Sequence, residues 1–523
     1  MSYKIKDIWC PTLFFLLTVL TRLPFTSKLL YHMDSVQFAL AIEDYDITLH
    51  QPHPPGYFLY VMLGRLANLF IKDANTTFVF ISILFSGLAV VAIYYLGKEI
   101  FDKKTGILAA LIALTSPNLW FHGEVALTYV VEAFFSAFVA LLCWRMLKGE
   151  HKYLWLSVIA LGIAGGIRQN TVVFLLPLWL FSVKGVPLRK IITSFGLLGI
   201  VCLFWFIPMV WMTGGWATYQ SAFRELWLFN TGHVSVFEKG WPLFLLFAST
   251  LFDFTFYGIG SGIFILGLAA YSLIRFGYIK ALDRTKFFFF LLWTSPSVFF
   301  YLFIFILRTN PGYALIFLPS LFILIAAAIG LVSKNLGKVF IKDVSGYIVT
   351  IILIINTAIF LFSEYPVSHH EIRNHDGKLS VMLARIKTFD PSTTAIFVGP
   401  YTFYGYRQIM YYVPEYAVYQ VDIRVTPTGE VRKTFWGKNK ETHLTDKINI
   451  PEEIRNLIIP IFLSDMNKLS LPAGLTIGEI LSDFFIISSP IGLIKDIYPG
   501  LHIVFATGRI DDYAEAPFKD HKL

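Results

Sequence analysis

Between Ile8 and Phe362 apolar residues run in long stretches separated by short polar breaks. A helix needs roughly 17 to 25 mostly apolar residues to cross a bilayer. Eleven stretches approach or meet that length, several of them short: Ile8 to Leu23, Thr77 to Gly97, Thr105 to Leu119, Val125 to Leu147, Tyr153 to Ile167, Thr171 to Val183, Ile191 to Thr213, Thr255 to Ile274, Phe287 to Leu307, Tyr313 to Val332 and Val344 to Phe362. The pattern predicts a polytopic α-helical membrane protein. Basic residues cluster in alternate connections, at Lys98/Lys103/Lys104, Arg145/Lys148/Lys152, Lys184/Arg189/Lys190, Arg275/Lys280/Arg284/Lys286 and Lys334/Lys338/Lys342. By the positive-inside rule that side faces the cytoplasm. Tyr57 to Ile71 is apolar but short and carries Arg65 and Asn68, and a span there would invert every later basic loop. It is expected to lie in the outer interface. Residues 24–75 then form a long outer loop, and an odd number of spans puts the chain from Ser363 onward outside the cytoplasm.

The pattern changes at that point. Over about 160 residues charge rises and short β-branched runs alternate with helical ones. TTAIFVGP (Thr393 to Pro400), YGYRQIMYYV (Tyr404 to Val413) and YAVYQVDI (Tyr416 to Ile423) read as strand, helix, strand, and LIIPIFLS and LHIVFATG as further strands. The division expected is a multi-spanning domain over residues 1–362 and a small extracytoplasmic α/β domain over 363–523. No Gly-rich phosphate-binding pattern and no repeat of solenoid length is present.

Composition agrees with lipid as the solvent: 56% of the 523 residues are hydrophobic, 17% aromatic and only 15% charged, with a mean hydropathy of +0.63. The net charge of +8 would suggest nucleic acid in a soluble protein. Here it resides in the loop clusters and reports topology, so no nucleic-acid partner is expected. Cys10, Cys143 and Cys202 all lie within apolar runs and suit neither a disulfide framework nor a zinc site. The first run begins behind Lys4 and Lys6 without a small-residue cleavage site, which predicts a retained signal anchor. The sequon Asn75-Thr76-Thr77 abuts a span, where glycosylation is not expected.

Candidate chemistry crowds the outer face. Asp34 in MDSVQF either caps an interfacial helix, with Gln37 completing a capping box, or serves as a catalytic carboxylate. His53 stands beside the rigid turn Pro54-Pro55-Gly56, as an interfacial side chain or a phosphate contact. In SPNLWFHGEVALTYVVEAFF, Glu124, Thr128 and Glu132 recur every four residues and would share one helix face. Two carboxylates entering the membrane on one stripe imply either a water-filled cavity or a polar seam between helices. Arg168 in GGIRQN and Arg308 in LRTNPGY fall at outer span ends. They are headgroup anchors, or a forked clamp for a phosphate. A carboxylate base and cationic clamps at the outer membrane face ask for a substrate lipidic at one end and phosphorylated at the other. A polyprenyl-phosphate sugar meets both requirements.

In the order MDSVQF, HPPGYFLY, FHGEVALTYVVEAFF, GIAGGIRQN and RTNPGYALIFLP, these motifs resemble the C-type superfamily of lipid-linked-sugar glycosyltransferases. That superfamily includes the protein O-mannosyltransferases and the bacterial lipid A aminoarabinose transferases, and the likeness extends to bacterial relatives with Asp-Ser-Gly-Glu-Phe and His-Pro-Pro-Gly-Tyr patterns. The resemblance implies a multi-pass plasma-membrane enzyme with its site and C-terminal domain extracytoplasmic, transferring a hexosyl or pentosyl group with inversion to a glycan, lipid or protein acceptor. It implies Asp34 as base, Glu124 as the group that orients the acceptor or assists the base, and His53, Arg168, Arg308 and Glu132 as substrate and phosphate contacts. The second acid of the first motif is Gln37 here, so a divalent metal would lack its paired carboxylate, and no cofactor is assigned. The runners-up are a transporter or flippase of lipid-linked substrates and a polysaccharide polymerase or ligase. Transporters often carry paired halves, which this sequence lacks.

Overall fold

The computed structural model describes residues 8–228, 235–275, 283–340, 344–364, 366–399, 405–425, 431–436, 444–445, 447–498 and 502–506. The expectation built on Lys4 and Lys6 lies outside them. The chain divides into two compact units. One comprises Met1–Lys28, Ala41–Ile47 and Pro52–Arg373, the other Leu29–Leu40, Thr48–Gln51 and Asn374–Leu523.

The first unit is helical. Among the described residues six helices are long and apolar enough to cross a membrane: Ala74–Ile100, Tyr129–Leu147, Leu188–Met212, Trp241–Ile259, Arg284–Phe303 and Ser345–Phe362. Shorter apolar helices include Trp9–Arg22, Phe58–Ile71, Leu154–Ile167 and Asn170–Ser182. Helix starts follow from local chemistry. Asp73, Asp102 and Asp283 each sit in extended backbone and accept a hydrogen bond from an amide two or three residues on, which satisfies donors the helix itself cannot. Ala74–Ile100 and Lys103–Thr115 cross at Gly106, where an added Cβ would lie 2.6 Å from the Tyr94 carbonyl oxygen. The expected single span Thr255 to Ile274 is two helices. Trp241–Ile259 ends at Gly260, whose φ of +50° turns the chain, and Gly262–Arg275 begins beyond.

Burial sorts these helices. Of its most apolar window, Leu188–Met212 buries only 17%, with Phe204 and Trp211 outermost, a surface stable against lipid rather than water. Tyr129–Leu147 buries 78%. Its polar side chains are therefore enclosed by protein: Ser136 Oγ donates to the Ile316 carbonyl and accepts from Trp293 Nε1.

The second unit is built on a sheet. Its strands are β1 (Thr394–Val398), β2 (Ala417–Val425), β3 (Val431–Trp436), β4 (Leu444–Thr445), β5 (Lys447–Pro451), β6 (Asn456–Phe462), β7 (Thr476–Leu481), β8 (Phe484–Pro490) and β9 (His502–Ala506). Seven of them form one sheet in the order β4-β3-β2-β1-β6-β8-β7, and β5 pairs with β9. The central strand β1 runs parallel to both neighbours, Ala395 opposite Ala417 and Leu457. All five of its residues are buried, as expected of a strand covered on both faces. Ala395 and Phe397 face one apolar cluster with Leu457, Ile487, Ile494 and Tyr498. Ile396 and Val398 face the other, with Leu379, Leu383, Ile409 and Tyr416. Leu29 and Leu40 pack on that second cluster, so a piece of the N-terminal loop completes the α/β fold.

Candidate active site

The helix Pro117–His122 is started by Ser116, whose Oγ accepts from the Leu119 amide, and stops at Gly123. Residues 124–128 are not helical. Ser82 Oγ donates to the Val125 carbonyl at 2.8 Å, and the Ser27 amide donates to the Glu124 carbonyl at 3.0 Å. These bonds spend backbone groups that a helix would have used. Glu124 therefore stands in a turn before Tyr129–Leu147 while Glu132 lies in its first turn, and the expected stripe of Glu124, Thr128 and Glu132 on one helical face does not form.

Each acid has acquired its own cation. Glu124 is fully buried, and among the described residues neither carboxylate oxygen makes a hydrogen bond of good geometry, the Trp120 side chain being the donor that acts on it. Burial pushes its carboxyl well above the ordinary carboxylate range, and the charge of Arg22 opposes part of that rise. Arg22 is itself fully buried. Its Nη2 donates to the Leu114 carbonyl at 2.7 Å, and its guanidinium lies 4.8 Å over the Trp120 ring.

Glu132 takes Arg168. Thr171 Oγ1 donates to Glu132 Oε1 at 2.9 Å, and Arg168 Nε lies 3.5 Å from Oε2, close enough for an ion pair but outside hydrogen-bonding geometry. Arg168 Nη1 reaches Thr128 Oγ1 at 3.4 Å. Its guanidinium lies 4.6 Å over Tyr129 and 5.2 Å over Tyr313, so aromatic faces supply part of the lost hydration. Tyr313 comes from the RTNPGY motif, and that motif is held by Asn118, whose Nδ2 donates to the Pro311 carbonyl at 2.8 Å. A Cβ at Gly312 would strike the Tyr129 ring, which explains glycine there.

Arg308 is exposed in the turn after Arg284–Phe303 and, among the described residues, has no ion pair. His53 Nε2 lies 3.0 Å from the Tyr57 hydroxyl. The turn behind it is held by Tyr45, which donates to the Gly56 carbonyl at 2.6 Å, and by Gln169, which donates to the Pro55 carbonyl at 3.2 Å. Gly56, at φ +121°, leaves no space for a side chain, since Met209 Sδ is 2.6 Å from where a Cβ would be.

Asp34 belongs to the second unit. The helix Met33–Glu43 begins one residue before it, so Asp34 lies within the first turn instead of capping it. The start is made by His32 and Ser35: the His32 amide donates to Ser35 Oγ at 3.3 Å, and the Val36 amide donates to the His32 carbonyl at 3.2 Å. The capping box expected of Asp34 and Gln37 is thus absent. The Asp34 amide donates to His32 Nδ1 at 3.1 Å, and Asp34 Oδ2 is 3.6 Å from the same nitrogen. Asp34 keeps 17% of its side chain open to solvent, whereas His32 is buried.

Of the six sequence candidates, Glu132 and Arg168 meet. Sequence reasoning missed Arg22, His32 and the tyrosines around Arg168. An arginine at the end of an apolar run was the available signal for Arg22, and RTNPGY already contained Tyr313. Among the described residues no group of three His, Cys, Asp or Glu could hold a metal ion.

Residues 52–212, which contain His53, Glu124, Glu132 and Arg168, match the family described as dolichyl-phosphate-mannose-protein mannosyltransferase. The chain resembles the C-type glycosyltransferases. Among solved structures, ArnT from Cupriavidus metallidurans in its apo state superposes with a TM-score of 0.52 at 12% identity, over 93% of this chain and 98% of that one. The same protein bound to undecaprenyl phosphate gives 0.50 at 11% identity, with the same coverage. The Archaeoglobus fulgidus oligosaccharyltransferase gives 0.47 at 12% identity over 79% of this chain, which spans 64% of that enzyme's length. No curated protein matches the sequence. The helical unit and the C-terminal sheet are thus similar in fold to ArnT, with Glu132 and Arg168 in the segment that matches the mannosyltransferase family and Asp34 and Arg308 outside it.

Proposed function

We propose that the protein is an integral-membrane glycosyltransferase that moves a sugar from a polyprenyl-phosphate donor to an acceptor hydroxyl at the outer face of the plasma membrane. Asp34 takes the acceptor proton as the hydroxyl oxygen bonds to the anomeric carbon. The bond from that carbon to the phosphate oxygen breaks on the opposite side, and its electron pair leaves with the polyprenyl phosphate. The anomeric centre is inverted. The leaving group is already a stable anion, so it needs cations more than a proton donor. Arg308, exposed and without an ion pair among the described residues, is the principal phosphate contact. Arg168 and His53 assist it, Glu132 sets the orientation of Arg168, and Glu124 helps order the acceptor. The α/β unit contributes to acceptor choice.

The observation that carries this reading is the mannosyltransferase-family match over residues 52–212. ArnT, similar in fold, was captured with undecaprenyl phosphate, the leaving group this chemistry would produce. The test is purified full-length protein in nanodiscs given undecaprenyl-phosphate mannose and envelope acceptors. Label appearing in a new glycosidic product supports transfer. Label that remains on the lipid while crossing the bilayer would mean a flippase. A reporter fused after Phe362 tests sidedness, and activity of a cytoplasm-only reporter there would reverse the topology.

A further inference from the structure

The segment that carries Asp34 is held by residues more than three hundred positions away. The Leu29 amide donates to Asp376 Oδ1 at 3.2 Å, and the Leu30 amide donates to the Tyr412 hydroxyl at 2.8 Å. The Tyr31 and His375 rings meet with centroids 4.9 Å apart. Leu30, Tyr31, His375 and Asp376 are all buried. Farther along, Arg407 Nη2 donates to the Leu49 carbonyl at 2.6 Å. Residues 29–40 and 48–51 accordingly fold as part of the α/β unit. Leu29 and Leu30 have no helical or strand partner for their amides, because the helix begins only at Met33. Asp376 and Tyr412 therefore anchor the backbone that leads into that helix, whose start His32 and Ser35 make, and with it the first turn that carries Asp34.

We infer that the C-terminal α/β unit is part of the catalytic machinery, with Tyr412 and Asp376 as positioning residues that set Asp34 for proton transfer. The inference rests on Asp34 being the base. Releasing two amide tethers lets the first helical turn shift by a fraction of an ångström or more, and displacements of about 1 Å at a reacting group cost up to about 100-fold in rate. Ground-state binding of the lipid donor does not depend on that shift.

The experiment compares Tyr412→Phe, Asp376→Ala and Tyr416→Phe in the full-length protein. Tyr416 is the control: its hydroxyl donates to the Ile386 and Phe389 carbonyls within the same unit, so its loss taxes domain stability without touching residues 29–34. Three readouts are needed: undecaprenyl phosphate binding, turnover of undecaprenyl-phosphate mannose, and amide exchange of residues 29–38. For Tyr412→Phe and Asp376→Ala the expected result is unchanged binding, turnover down by about 10- to 100-fold and faster exchange at 29–38. Tyr416→Phe should stay within about twofold of wild type, and in an Asp34→Asn background Tyr412→Phe should have no further effect. Equal losses in Tyr412→Phe and Tyr416→Phe would reduce the tether to domain stability and overturn the inference. So would wild-type turnover in Tyr412→Phe when Asp34→Asn is inactive, a result that leaves the base assignment standing. Wild-type turnover in Asp34→Asn would remove the base itself, and the catalytic meaning of the tether with it.

Discussion

Glu132→Gln puts the buried pair under direct test. The substitution keeps the size of the side chain and the oxygen that accepts from Thr171, and replaces the charged oxygen 3.5 Å from Arg168 Nε by an uncharged amide nitrogen. Arg168 is 7% exposed, so its guanidinium is left with little water. Breaking a buried pair by neutralising one partner costs about 3–5 kcal/mol. Two features of this site pull the figure down. The pair lies outside hydrogen-bonding geometry, and Tyr129 and Tyr313 still face the cation. A loss of about 2–3 kcal/mol is therefore expected, read as the unfolding free energy from SDS titration in mixed micelles. Arg168→Met removes the stranded charge, so the double variant should recover about 1–2 kcal/mol relative to the sum of the single losses. A Glu132→Gln loss below about 0.5 kcal/mol, with additive singles, would show that the two charges do not depend on each other. It would mean that water or lipid headgroups already solvate Arg168.

Asp34→Asn should lower transfer by about 10² to 10⁴, since an amide cannot accept the proton, while undecaprenyl phosphate binding holds; turnover near wild type would return Asp34 to a structural role. Arg308→Lys keeps charge and loses the planar fork, so an arginine-specific phosphate site weakens in donor binding and turnover even then, and Arg308→Ala weakens further. Unchanged binding in both would pass the phosphate to Arg168 or His53. Because burial raises the Glu124 carboxyl, the folded protein holds that proton at pH values where the unfolded chain has released it. Stability contributed by this group therefore falls as pH rises above the ordinary carboxylate value. Glu124→Gln should flatten that dependence in SDS titrations at pH 5 and pH 8, and an unaltered slope would show that Arg22 fully compensates the charge.

Much of the fold was legible because the signals are local. Continuous apolar runs marked the helices, and the β-branched runs at Thr394–Val398, Ala417–Val425 and Asn456–Phe462 marked the strands, as did the helix between the first two. Errors arose where a distant partner decides. Spacing alone put Glu124 and Glu132 on one face, but Ser82 and Ser27 hold the intervening backbone in a turn. Gly260 divides an apolar run that hydropathy reads as unbroken. Glu132 and Arg168 were visible singly, and their pairing depends on how separate helices pack. The docking of Leu29 and Leu30 on Asp376 and Tyr412 has no sequence signal, because backbone amides carry no residue identity.

Membranes from cells that lack the protein give the most direct test of lipid-linked sugar transfer, since their donors and acceptors need not be known beforehand. Purified full-length protein is added, and polyprenyl-phosphate sugars, free polyprenyl phosphate and glycosylated products are followed together by mass spectrometry. With the wild-type protein one polyprenyl-phosphate sugar should be consumed, free polyprenyl phosphate should rise by the same amount, and the sugar should appear in a product with inverted anomeric configuration, none of which happens with Asp34→Asn. An unchanged lipid-linked pool in the presence of folded wild-type protein, or a pool redistributed across the bilayer without loss of sugar, would contradict sugar transfer.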